Sequence, residues 1–196
     1  MSFIQTPDAS ANEKVAKIYH DAEAGYGYLP NMTRAFGHRP DVMERWTALL
    51  SAIKTHMDMR RYELVTLAAA KELKSSYCML AHGSALMRDV FSADTVRRIA
   101  ENVETAPIDD TERAIMQFAA KVVRDAGSIE KADVDILKKR GLTDAEIFDI
   151  VAAATVRCFF SKTLDALGVE PDSAYSSMAA DLRKALVIGR PIEKLA

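Results

Sequence analysis

Cys78 and His82 stand four residues apart in the stretch SSYCMLAHG, and Glu63 precedes the cysteine by fifteen. On a helix, positions i and i+4 share a face, so this thiol and imidazole can be neighbours. Ser75 is a preferred N-cap type, and a helix capped there places Cys78 at its third position. Free N–H groups and the positive end of the helix dipole would then favour the thiolate, the nucleophilic form of cysteine. An imidazole beside a thiol can take its proton, and a carboxylate can hold that imidazole in the right tautomer. Glu63 is the candidate carboxylate, because it opens an otherwise apolar segment in which an acidic side chain is costly without a polar partner. Fifteen residues of straight helix span about 22 Å. Contact therefore requires the chain to fold back between Lys74 and Ser76. The opposing reading makes Cys78 a small buried hydrophobe and Glu63 a partner of the helix dipole.

The elements that must position these residues read as helices throughout. Glycine and proline are scarce, at 8 and 6 among 196 residues, and long segments carry Ala, Leu, Glu and Lys at helical spacing. A first helix is predicted from caps at Asp8 to Ser10 through NEKVAKIYHDAEA, stopped by GYGYLPN. After Pro40, Val42, Trp46, Leu49, Leu50 and Ile53 form one apolar face of a second helix. MRRYELVTLAAAKELK is apolar on most sides and is expected to be buried, and YCMLAHGSALMRDV follows almost at once. Further helices are expected in SADTVRRIAENV, DDTERAIMQFAAKVVRDAG, KADVDILKKRG, TDAEIFDIVAAATVRCFFSKTLDALG and SAYSSMAADLRKAL. The expected fold is all-α, one domain over residues 1–196 built from two similar helical halves, with an N-terminal helical extension over about residues 1–25. A shift of 83 residues aligns Glu63, Leu64, Val65, Leu67, Ala69 and Ala70 with Glu146, Ile147, Phe148, Ile150, Ala152 and Ala153. It also sets Ser75 on Cys158, Cys78 on Ser161 and His82 on Asp165; any two alanine-rich amphipathic helices would align passably too.

Composition narrows the function classes. The 26 basic and 28 acidic residues nearly cancel, leaving no basic footprint for nucleic acid. No apolar run approaches the roughly 20 residues of a membrane span, and MSFIQTPDAS does not read as a signal peptide. Two cysteines 80 positions apart do not make the disulfide framework of a small secreted domain, so a cytoplasmic location is expected. His20, His38 and His56 are not spaced with second ligands, and neither a metal nor another cofactor is expected.

Three segments together, YLPNMTRAFGHRPDVMERWTALL, MRRYELVTLAAAKELKSSYCMLAHGSAL and DAEIFDIVAAATVRCFFSKTLDALGVEPD, resemble the AhpD-like alkylhydroperoxidases of the carboxymuconolactone decarboxylase superfamily, in particular their uncharacterised peroxidase-related branch. The resemblance covers about residues 25–172. The family signature is a glutamate, eleven residues, C-x-x-C, and a histidine four residues after the second cysteine. Glu63, Cys78 and His82 fall on the glutamate, the second cysteine and the histidine. The resemblance implies an all-α homo-oligomer that reduces peroxides with thiols. It makes Glu63 and His82 a proton relay activating Cys78, and a dithiol or lipoyl-type protein the reductant of a disulfide between the two cysteines.

Ser75 occupies the position of the first cysteine, so that disulfide is unavailable. A sulfenic acid on Cys78 would have to be resolved by an outside thiol or by Cys158, whose alternative role is core packing within VRCFF. Tyr77 either lines the pocket or packs in the core. The leading reading is a one-cysteine peroxidase-related oxidoreductase acting on hydroperoxide or thiol substrates. Two others stay open: a lactone-decarboxylase-like acid–base enzyme in which Glu63 and His82 move protons, and a redox sensor or assembly protein without turnover.

Overall fold

The computed structural model describes residues 2–194, which form ten α-helices, short 3-10 turns and, among the described residues, no strand. The expected all-α fold is what the chain adopts. The helices are α1 (Glu13–Tyr26), α2 (Asn31–Phe36), α3 (Pro40–Lys54), α4 (Met59–Glu72), α5 (Ser76–Asp89), α6 (Ala93–Glu101), α7 (Asp110–Asp125), α8 (Lys131–Lys139), α9 (Asp144–Ala166) and α10 (Ala180–Leu186).

Most starts are written in the chain as side-chain caps. Asp58 accepts from the Arg61 N–H at 2.8 Å to open α4. Asp109 with Glu112, and Thr143 with Glu146, form capping boxes at α7 and α9, each satisfying two otherwise orphaned donors. At α1 the expectation was one turn early. Asp8 caps a 3-10 turn, Ala9–Ala11, and the helix itself is capped by Asn12, whose side chain accepts from the Val15 N–H at 3.0 Å. The α2 helix was not anticipated from GYGYLPN.

The α4 helix is the centre of the packing. Every residue from Tyr62 to Ala70 is buried, because α5, α7 and α9 all pack against it. Full burial of side chains such as Leu64 and Leu67 contributes about 1.5–3 kcal/mol each, and the alanines between them let neighbouring helices approach closely. The apolar face of α3 is only half used: Trp46, Leu50 and Ile53 are partly covered, whereas Leu49 and Val42 remain exposed. It lies at the rim against α9, and the two helices border an apolar groove of about 590 Å³.

The fold-back required between Lys74 and Ser76 is present. Lys74 has φ 55°, the Lys74 N–H donates to the Lys71 carbonyl at 3.0 Å, and the Ser75 N–H reaches back to the Ala70 carbonyl at 3.0 Å. That pair of bonds is a Schellman ending, with lysine at the left-handed position that glycine usually fills. The chain's C-terminal segment packs over this corner, where the Gly189 N–H donates to Ser76 Oγ at 2.7 Å.

Candidate active site

Reversal at Lys74 lays the start of α5 along α4 and brings Glu63 to His82. Glu63 Oε2 lies 2.6 Å from His82 Nδ1, with both side chains largely buried. Burial, and next the positive charge of Arg157, push the His82 pKa below its usual 6.5, while the hydrogen bond to Glu63 pulls in the opposite direction. The depressed value favours the neutral ring. A carboxylate at Nδ1 then assigns the proton to that nitrogen and leaves Nε2 free to accept one. Tyr62 packs edge-on against the imidazole, with ring centres 6.2 Å apart.

Cys78 sits one turn before His82, at the third position of α5, and is 1% exposed. Its sulfur meets two donors from α9. Ser161 Oγ donates to it at 3.1 Å, and Arg157 Nη1 stands 4.0 Å away. A hydroxyl and a guanidinium at a sulfur both stabilise negative charge on it. Cys78 and Ser161 are also the pair that the 83-residue offset superimposes, and they are in contact. The aligned stretch of the second half is one continuous helix, α9, whereas the first is broken into α4 and α5.

The other candidates fall elsewhere. Ser75 holds the N-cap position of α5 but makes no capping hydrogen bond, since its side chain is turned inward and fully buried. Among the described residues its hydroxyl makes no hydrogen bond. Tyr77 points away from the sulfur's donors, into a polar knot. Its hydroxyl donates to Asp172 Oδ2 at 2.5 Å and accepts from the Met32 N–H at 3.2 Å, while the Asn31 N–H donates to Asp172 Oδ1 at 2.7 Å. Tyr77 thus ties α5 to α2. Both cysteines are free. Cys158 bonds the Ala154 carbonyl of its own helix, and burial pushes its thiol pKa above the usual 9.0.

Sequence reasoning missed Arg157 and Ser161 as neighbours of the sulfur, and Tyr62 and Trp46 as neighbours of that arginine. The available signal was an arginine inside the apolar run TVRCFFS, since arginine is almost never fully buried without a partner. Among the described residues, no group of three His, Cys, Asp or Glu side chains could hold a metal ion, and no helix is long and apolar enough to cross a membrane.

Comparison with known proteins fits this geometry. Residues 40–121, which run from α3 into α7 and carry Glu63, Cys78 and His82, match the carboxymuconolactone decarboxylase family model. The fold is shared with an uncharacterised peroxidase-related protein with an alkylhydroperoxidase AhpD core from Ralstonia eutropha JMP134, at TM-score 0.81 and 23% identity, covering 89% of this chain and 94% of that one. A peroxidase-related protein from Silicibacter sp. TM1040 is similar at TM-score 0.81 and 22% identity, over 90% and 94% of the two chains. The debrominase Bmp8 is more distant, at TM-score 0.70 and 18% identity over 92% and 94%. No curated protein matches in sequence. The AhpD-like resemblance drawn from the motif is thereby borne out. Arg157 and Ser161 lie outside the matched carboxymuconolactone decarboxylase segment.

Proposed function

We propose that this protein is a thiol-dependent, peroxidase-related oxidoreductase in which Cys78 is the nucleophile and Glu63 and His82 are its proton relay. The observation that carries the reading is the 2.6 Å Glu63–His82 pair set one helical turn from a sulfur that already receives two donors. A buried carboxylate–imidazole pair of this kind is costly unless it serves a proton transfer or a firm structural link. In the proposed reaction the Cys78 thiolate attacks the outer oxygen of a hydroperoxide, forming an S–O bond as the O–O bond breaks. Cys78 becomes a sulfenic acid, and the alkoxide takes a proton delivered through His82. Two equivalents of an external thiol, or one dithiol of lipoyl type, then return the sulfenic acid to the thiol, with release of water and a new disulfide on the reductant. Ser75 has no thiol with which to take part.

A second reading is an acid–base enzyme of the carboxymuconolactone decarboxylase kind, supported by the family match and by an imidazole held neutral with Nε2 free. A third, a redox sensor without turnover, is supported by the close packing of the sulfur at 1% exposure.

Peroxide consumption with a dithiol reductant tests the set, in protein carrying Cys158→Ser. The proposal expects turnover that Cys78→Ala abolishes and Cys158→Ser leaves intact. Stoichiometric, reversible oxidation of Cys78 without sustained consumption would instead establish the sensor. Acid–base activity on a lactone that survives Cys78→Ser but not His82→Ala would establish the second reading. Ser75→Cys separates the cycles: a jump in activity only in that variant would place the native role outside peroxide turnover.

A further inference from the structure

Arg157 is a buried cation whose partners are incomplete. It is 3% exposed, and among the described residues no carboxylate pairs with it. Nη2 donates to the Tyr62 hydroxyl at 3.1 Å, Nη1 faces Cys78 Sγ at 4.0 Å, and the buried Nε–H has no acceptor. The guanidinium carbon lies 5.6 Å from the Trp46 ring centre and 5.5 Å from that of Phe160, and those two rings stack at 4.2 Å. Lys54 adds a second positive charge to the cluster, 5.0 Å from the Tyr62 ring centre.

Proximity to the two rings offsets part of the cost of burying this charge, but it leaves the Nε–H unused. The Trp46 indole N–H is a second buried donor in the same cluster without an acceptor. Trp46 also lines the groove between α3 and α9, so the guanidinium lies one side chain's contact from that opening. Two buried donors without acceptors beside a nucleophile call for a ligand that supplies acceptor atoms, and the edge of a guanidinium matches a carboxylate or similar oxyanion.

We propose that Arg157 is the substrate-recognition residue of the site and that the molecule presented to Cys78 carries a carboxylate or similarly small oxyanion, bound through the Nε edge of the guanidinium. This rests on Cys78 being the nucleophile. It adds a substrate class: anionic rather than neutral hydroperoxides or electrophiles.

Alkylation of Cys78 by iodoacetate and by iodoacetamide, in full-length protein with Cys158→Ser, tests it. In both reactions the thiolate sulfur forms an S–C bond as iodide leaves. The ratio of the two rates therefore cancels the fraction of thiolate present and reports recognition of the reagent's carboxylate. The native protein should favour iodoacetate. Arg157→Met should lower the ratio by about tenfold, the scale of one charge-assisted hydrogen bond, and Arg157→Lys should retain part of it. Trp46, the only tryptophan, gives a readout independent of the sulfur: its fluorescence should change saturably with added acetate in native protein and not in Arg157→Met. A ratio that is the same in native protein, Arg157→Lys and Arg157→Met, with no saturable signal, overturns the inference. A Cys78 inert to both reagents with a saturable acetate signal overturns the nucleophile reading and leaves the anion subsite standing; inertness with no such signal overturns both.

Discussion

Glu63 and His82 are 19 residues apart in the chain, yet their side chains meet at 2.6 Å because the helix carrying one ends and turns back before the helix carrying the other begins. The pair exists only through that corner. In the proposed relay, Glu63 would orient His82, and His82 would serve whatever stands beside Cys78.

Glu63→Gln keeps the shape of the side chain and removes the charge that fixes the imidazole tautomer. Peroxide turnover should fall about 100-fold, within the range of general acid–base contributions, with little loss of stability. A Glu63→Gln protein with native kcat/KM would remove Glu63 from the relay.

The depressed His82 pKa has a stability consequence whose sign is fixed. The unfolded chain binds the His82 proton more readily than the folded one, so this contribution is fully present above the usual 6.5. It should be lost progressively as pH falls below 6.5 toward the folded value. Urea unfolding between pH 7.5 and 5 should show the decline, and His82→Gln should flatten it. An equal slope in both proteins would mean that other groups carry the pH dependence.

Lys74 is held at φ 55° by the Schellman ending of α4, a conformation that disfavours a residue with a Cβ by about 1 kcal/mol. Lys74→Gly should therefore raise the melting temperature by about 2–4 °C, the shift expected per kcal/mol in a chain of this size. An unchanged or lower value would show that the lysine side chain compensates for its backbone.

Tyr77→Phe removes a donor from Asp172, whose carboxyl burial already pushes above its usual 3.8 against the bonds it accepts. The expected loss is about 1–3 kcal/mol of stability. The alkylation rate of Cys78 should stay within a factor of two, since Tyr77 faces α2 and not the sulfur's donors. A large change in reactivity with unchanged stability would reassign Tyr77 to the reaction.

Much of the fold was legible because its long helices announce themselves locally. Asp58, Asp109 and Thr143 cap their own N-termini, and Glu112 and Glu146 complete two of the boxes. The α2 helix escaped because six residues are too few for a period, and Pro30 at its N-cap offers no side-chain cap. Glu63, Cys78 and His82 were readable from spacing, since one helix and one reversal suffice to join them. Arg157 and Ser161 were not. They reach Cys78 across 79 and 83 residues, and only the packing of α9 against the α4–α5 corner decides which of its side chains meet the sulfur.

Ser75 at the head of α5 sets the kinetic order of the proposed cycle. A neighbouring cysteine would resolve an oxidised Cys78 within the molecule, at an effective concentration no free thiol can match. With serine there, resolution must be a collision. The steady-state rate should climb with the concentration of external thiol until another step limits it, so the protein's throughput would follow the reducing power of its surroundings.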